Sequence, residues 1–186
     1  MLALGRACRE KAKTPASHQR LPWLWPLIKL AWATAMRRGE ILSLQWADVD
    51  LERRVAHLRE TKTGKPRTVP LSRHALRALA ELRELFPDDE RVLPVTPNAV
   101  RLAWRRLRER AGVPDVRFHD LRHEATSRLA EAGWSDLEIS AVTGHRDPRM
   151  LRRYAHLRPQ DLAARLDRVH RERRAQNRGA TDGRIE

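Results

Sequence analysis

Apolar positions along the chain recur first at helical spacing, then at strand spacing, then at helical spacing again. Residues 24–36 are leucine- and tryptophan-rich and read as a buried helix. A second, short helix is predicted over 38–46, with Ile41, Leu42 and Leu44 inward. Segments 48–51, 54–58 and 67–71 are β-branched or alternating, and the glycine and proline of 61–66 mark a turn between the last two. These predict three short antiparallel strands. Ser72 can cap a helix running to about residue 86, with Ala75, Leu76, Leu79, Leu82 and Leu85 on one stripe. Thr96 and Pro97 open the next helix and Gly112 closes it. Its Val100, Ala103, Trp104 and Leu107 face inward, and Arg101, Arg105 and Arg108 form an outward row. A helix over 119–132 ends at Gly133, and Ser135 with Glu138 forms a capping box for another that stops at Gly144.

After Asp147 and Pro148 a short helix is expected to carry Tyr154, the single tyrosine. Beyond Pro159 a last helix, with Leu162, Leu166 and Val169 as its stripe, runs into a basic tail. The pattern predicts a mainly α (α+β) fold: helices with a small three-stranded antiparallel sheet on one side. Residues 1–20 read as a basic leader or linker, 21–175 as the domain, and 176–186 as a disordered tail. No internal repeat is present.

Charge narrows the partner. The 186 residues include 38 Lys and Arg against 24 Asp and Glu, a net charge of +14, which points to a polyanion partner, nucleic acid foremost. The lone Cys8 excludes an internal disulfide and a cysteine-based zinc site, and it fits a reducing cytoplasm. The longest apolar stretch, 21–36, is interrupted by Pro22, Pro26 and Lys29, so no membrane span is expected. The run Leu2–Leu4 is too short for a signal peptide.

Four segments offer groups suited to a phosphate. Arg37 at a helix junction can fork two oxygens, with Glu40 placed to orient it; a solvated Arg–Glu pair is the plainer reading. Lys62 at the hairpin tip can reach a ligand and give up a proton; an ordinary polar turn fits as well, and Lys65 rivals it. His119, Arg122 and His123 share one helical face, which suits proton transfer beside an anion clamp. A polar helix start is the alternative. A metal site from His119, His123 and His145 is a weaker one, since Arg122 would sit beside the cation. Gly144-His145 precedes Tyr154, which can act as a covalent nucleophile or simply be a core tyrosine. Arg152 and Arg153 make its setting electropositive.

Taken in order, Arg, Lys, His-x-x-Arg, His and Tyr resemble the catalytic domain of tyrosine recombinases, the phage integrase family. The resemblance spans residues 22–170 and rests on His119-Asp120-Leu121-Arg122-His123, Gly144-His145 and a tyrosine nine positions after that histidine. It implies the helical catalytic-domain fold and cutting and rejoining of DNA through a 3′-phosphotyrosyl link. It makes Arg37 and Arg122 the phosphate clamp, Glu40 and His123 supporting residues, and Lys62 the acid for the leaving 5′ oxygen. His119 assists proton transfer, His145 bonds the phosphate, and Tyr154 attacks. Lys65, Arg101, Arg105, Arg152 and Arg153 are expected to touch double-stranded DNA. No metal or other cofactor is implied, and a homo-oligomer, a tetramer on DNA, would form through the C-terminal helix; cis packing of that helix is the equal alternative.

The sequence departs from the family pattern twice. Ala35 stands where the family often has glycine, a minor change if the position is helical, because alanine favours helix. The separate helical domain that usually precedes the catalytic one is expected to be absent, and weaker DNA binding would follow. A DNA-binding remnant with little activity and a type IB topoisomerase-like relaxing enzyme are the alternative functions.

Overall fold

A computed structural model describes residues 21–59, 66–145 and 147–151. The chain divides into two units, Met1–Tyr154 and Ala155–Glu186, and every described residue belongs to the first. Its elements in order are α1 (Leu24–Thr34), α2 (Arg38–Ser43), β1 (Val49–Asp50), β2 (Val55–Leu58), β3 (Arg67–Pro70), α3 (Arg73–Leu85), α4 (Pro97–Arg110), α5 (Asp120–Glu131) and α6 (Asp136–Thr143). There are also two single 3₁₀ turns, Trp46–Asp48 between α2 and β1 and Pro148–Met150 after α6. The mainly helical architecture with one small sheet is the one expected.

Helix α1 is central because it is apolar nearly all round. Leu27, Ile28, Leu30 and Ala31 are completely enclosed, and the helix packs against both α3 and α5. Helix α3 contributes Ala75, Ala78, Leu79 and Leu82, one stripe at helical spacing. Its Ser72 hydroxyl accepts from the Ala75 N–H at 3.3 Å, and Thr96 does the same for Ala99 at 3.1 Å ahead of Pro97 in α4. Ser135 and Glu138 form the expected reciprocal box before α6. In α4, Trp104 donates to the Val116 carbonyl at 3.0 Å and meets Phe118 edge-on at 5.2 Å, which fastens the chain entering α5.

The strands form one antiparallel sheet in the order β1-β2-β3. Val49 pairs with Ala56, Ala56 with Val69, and Leu58 with Arg67. Alternation places Ala56, Leu58 and Val69 in the core. Strand β3 also touches α6, so the sheet reaches the far helix of the domain.

The expected boundaries shift at two places near the site. The second helix ends at Ser43 rather than 46, because Leu44, Gln45 and Trp46 leave it to pair with the segment at 90–92. There Trp46 donates to Glu90 at 2.9 Å and Val92 donates to Leu44 at 2.9 Å. Helix α1 ends at Thr34, and Ala35 is not helical. It closes the helix in the left-handed region at φ 53° and ψ 18°, so alanine's preference for helix does not make its presence there minor. An L-residue pays roughly 1–2 kcal/mol for that conformation. The Ala35→Gly variant should therefore be more stable by about 1 kcal/mol in urea unfolding, the relief of strain exceeding the loss of one buried methyl. An unchanged or lower midpoint would show that the methyl's packing outweighs the strain.

Candidate active site

The site is organised around a carboxylate that the core has enclosed. Glu40 sits in the first turn of α2 and is only 4% exposed, so the solvated reading of the Arg37–Glu40 pair does not hold. Its Oε2 reaches back to accept from the Arg37 backbone N–H at 2.7 Å, the N3 half of a capping box. Its Oε1 accepts from Arg37 Nη1 at 2.8 Å. From β3, Arg67 adds a bidentate pair, Nη1 to Oε1 at 2.6 Å and Nη2 to Oε2 at 2.9 Å. Burial is the largest influence on this carboxyl and pushes it up. The bonds from Arg67 and from the Arg37 backbone, with the Arg67 charge, outweigh it, and Glu40 is held below the usual carboxylate range. It is therefore ionised at neutral pH.

Arg122 lies in the first turn of α5 and is 3% exposed. Its Nη1 donates to the Ala35 carbonyl at 2.5 Å, which the left-handed turn of Ala35 presents to it. Its Nη2 lies 3.4 Å from His145 Nε2. The His145 ring is fixed from its other side: Nδ1 is 2.7 Å from the Thr143 hydroxyl, which itself donates to the Ile139 carbonyl at 2.7 Å. With the hydroxyl proton committed to Ile139, Thr143 receives the Nδ1–H of His145. Gly144, at φ 72°, turns the chain out of α6 and brings His145 round to Arg122.

His119 stands at the mouth of α5, its ring edge-on to His123 with centroids 4.8 Å apart. Asp120 fixes this entrance by accepting from the Arg117 backbone N–H at 2.8 Å. Although much of the His119 side chain meets solvent, desolvation is the main cause lowering its pKa, and the charges of His123, Arg122 and Arg37 add to it; Asp120 opposes them weakly. His119 is thus a neutral imidazole at physiological pH, able to accept a proton.

The described residues thus bring Arg37, Glu40, His119, Arg122 and His145 together, with His123 behind His119. Arg101 and Arg105 do not join them. They lie on α4 and line a separate open groove of about 320 Å³ with Arg38, Arg108, Arg117 and Phe118. A cavity of similar size beside His119 and Arg122 shares Arg38, Arg117 and Phe118 with it, so a basic path leads from α4 to the site. Lys62, Lys65, Arg152, Arg153 and Tyr154 lie outside the described residues, as do the leader, the tail and the C-terminal helix. Among the described residues no group of three or more His, Cys, Asp or Glu side chains is placed to hold a metal ion.

Sequence reasoning missed Arg67, Arg38, Arg117 and Thr143. For Arg67 a signal existed: it has the same parity in β3 as the buried Val69, so it points inward, and a guanidinium facing inward needs a buried anion. Thr143 was legible only as the end of a helix.

Comparison with known proteins identifies the family. The chain matches the Phage integrase family over residues 7–161. It is 45% identical over 152 residues to the shufflon-specific DNA recombinase of Escherichia coli, covering 80% of this chain and 38% of that protein. It is 33% identical over 153 residues to the integrase of Salmonella phage P22, covering 73% of this chain and 40% of that protein. The chain therefore spans about two fifths of the length of these curated relatives. Among solved structures, XerA recombinase superposes with a TM-score of 0.65 at 20% identity, covering 90% of this chain and 63% of that one. A lambda integrase(75-356) dimer bound to a COC′ core site gives 0.64 at 20% identity, covering 85% and 57%. At these identities the superpositions speak for the fold alone. The family match, over a chain whose spaced arginines and histidines converge on one carboxylate-anchored site, shows that it belongs to the phage integrase family, the tyrosine recombinases.

Proposed function

We propose that this chain is the catalytic domain of a site-specific DNA recombinase that cuts and rejoins strands through a tyrosine. The observation that carries the proposal is the buried Arg122. It is hydrogen-bonded to Ala35, lies beside His145, and shares its surroundings with the Arg37–Glu40 pair. Two guanidiniums set by their surroundings suit the non-bridging oxygens of a phosphodiester, on which charge accumulates in the transition state.

In this reading the Tyr154 oxygen attacks the scissile phosphorus and its proton passes to neutral His119. The bond from phosphorus to the 5′ oxygen breaks, and that oxygen takes a proton from Lys62. The products are a 3′-phosphotyrosyl link and a free 5′-hydroxyl, and attack by another 5′-hydroxyl reverses the step on a new partner. His145, its ring fixed by Thr143, would bond a phosphate oxygen beside Arg122. The reaction stores the broken bond's energy in the phosphotyrosine, so the residues proposed suffice without a cofactor. Arg38, Arg101, Arg105, Arg108 and Arg117 would carry the duplex backbone toward the site. Assembly of several copies on the DNA through the segment after Pro159, in the bacterial cytoplasm where the DNA lies, belongs to the same reading. No helix among the described residues is long and apolar enough to cross a membrane.

A nicked suicide duplex should trap a covalent protein–DNA adduct that disappears in Tyr154→Phe. Arg122→Ala should slow adduct formation by about a hundredfold or more, while DNA affinity falls far less. Salt-sensitive binding with no adduct at all would leave a DNA-binding remnant instead. Relaxation of supercoiled plasmid without site preference would favour the topoisomerase-like reading.

The pH profile has a defined sign. Because the His119 pKa is depressed, the neutral base persists to lower pH than an ordinary histidine allows, and cleavage should decline only below the usual histidine range. The His119→Gln variant should lose that acid limb along with most of the rate. A wild-type limb at or above the ordinary histidine value would contradict the role.

Arg101→Ala and Arg105→Ala should each reduce the salt slope of DNA binding by about one, as expected for a phosphate contact. An unchanged slope would place the α4 groove away from the duplex.

A further inference from the structure

Glu40 carries one negative charge and faces two guanidiniums, but the proposed reaction uses only one of them, Arg37. Arg67 makes the bidentate pair, and its side chain is 11% exposed against 24% for Arg37. Its far end also lies against the turn that carries His145. A Cβ added to Gly144 would stand 2.9 Å from Arg67 Cδ and 3.0 Å from its Nε and Nη1. One side chain therefore touches the carboxylate that orients Arg37 and the backbone immediately before His145.

We infer that Arg67 is a positioning residue for the phosphate site, balancing the charge of Glu40 so that Arg37 stays available to phosphate and seating His145 through Gly144. The charge count supplies the reason. With both arginines present the cluster keeps a net positive charge for an incoming phosphate. Without Arg67, Glu40 and Arg37 neutralise one another, and a buried carboxylate that has lost its bidentate partner draws the Arg37 guanidinium more fully onto itself. An ion pair that served only to hold β3 in place would change stability and leave the rate of a folded molecule alone. The inference rests on the reading of Arg37 and His145 as phosphate-binding groups.

The test uses the whole 186-residue chain and two readouts. The first is single-turnover adduct formation on saturating nicked duplex, with DNA affinity measured separately. Arg67→Ala should slow the step by about tenfold or more while affinity changes little, and Arg67→Lys should recover part of the loss by restoring the charge without the fork. Adding Glu40→Gln to Arg67→Ala should restore rate relative to Arg67→Ala alone, because it removes the charge that captures Arg37. A purely structural pair predicts a further loss. The second readout is the Arg37 Nε–Hε resonance of the DNA-free chain, assigned by its disappearance in Arg37→Lys. It should shift and broaden in Arg67→Ala, or in Arg67→Lys should the alanine variant not fold. An unmoved Arg37 resonance, or an unchanged rate at saturating DNA in a folded variant, overturns the inference. If the wild-type chain forms no adduct, the proposed reaction fails, and the Arg37 resonance alone decides the positioning role.

Discussion

The domain depends on the buried carboxylate of Glu40 being kept neutralised. A carboxylate 4% exposed is tolerable only with partners, and stripping one from such a pair typically costs about 3–5 kcal/mol. Glu40 obtains its partners from its own helix start and from a strand 27 residues later in the chain. The small sheet thus has a task besides covering apolar surface. Its antiparallel register, with Arg67 opposite Leu58, delivers a guanidinium into the core beside α2. Folding and assembly of the Glu40 cluster are in this sense one event, since α2 cannot bury Glu40 with its partners until β3 has arrived.

The arginines of the chain consequently differ in kind. Arg101 and Arg105 on α4 are exposed and paired locally, with Asn98 and Glu109, and can turn to follow a flexible polyanion. Arg122 and Arg67 are enclosed and aimed by fixed acceptors. Exposed cations draw a duplex in over distance and are screened by salt, whereas enclosed ones discriminate between geometries. A net charge of +14 describes the first group well and says nothing of the second.

This division also explains what could be read in advance. Helix ends were legible because Ser72, Thr96, Ser135 and Gly144 act on atoms within a few residues of themselves. The strands were legible because alternation is local, and the spacing of His119, Arg122, His145 and Tyr154 carries the family's mark in the sequence itself. Burial of Glu40 was not legible, since it depends on β3 folding across α2. The role of Ala35 was misjudged for the same reason: helix propensity predicts continuation there, and the left-handed turn is imposed by the need to run α1 straight into α2. Thr143 gained a function only when α6 met α5.

The acceptor that aims Arg122 is a main-chain carbonyl, and this has a consequence for how the site withstands change. Whatever side chain stands at position 35, its carbonyl remains, so substitution there cannot delete the bond and can only alter the ease of the left-handed turn. A scan that trims side chains one at a time would pass over the atom holding the deepest arginine of the site. Position 35 is constrained by a shape of backbone rather than by a chemical group, and an insertion or deletion between α1 and α2 would displace the carbonyl that Arg122 uses.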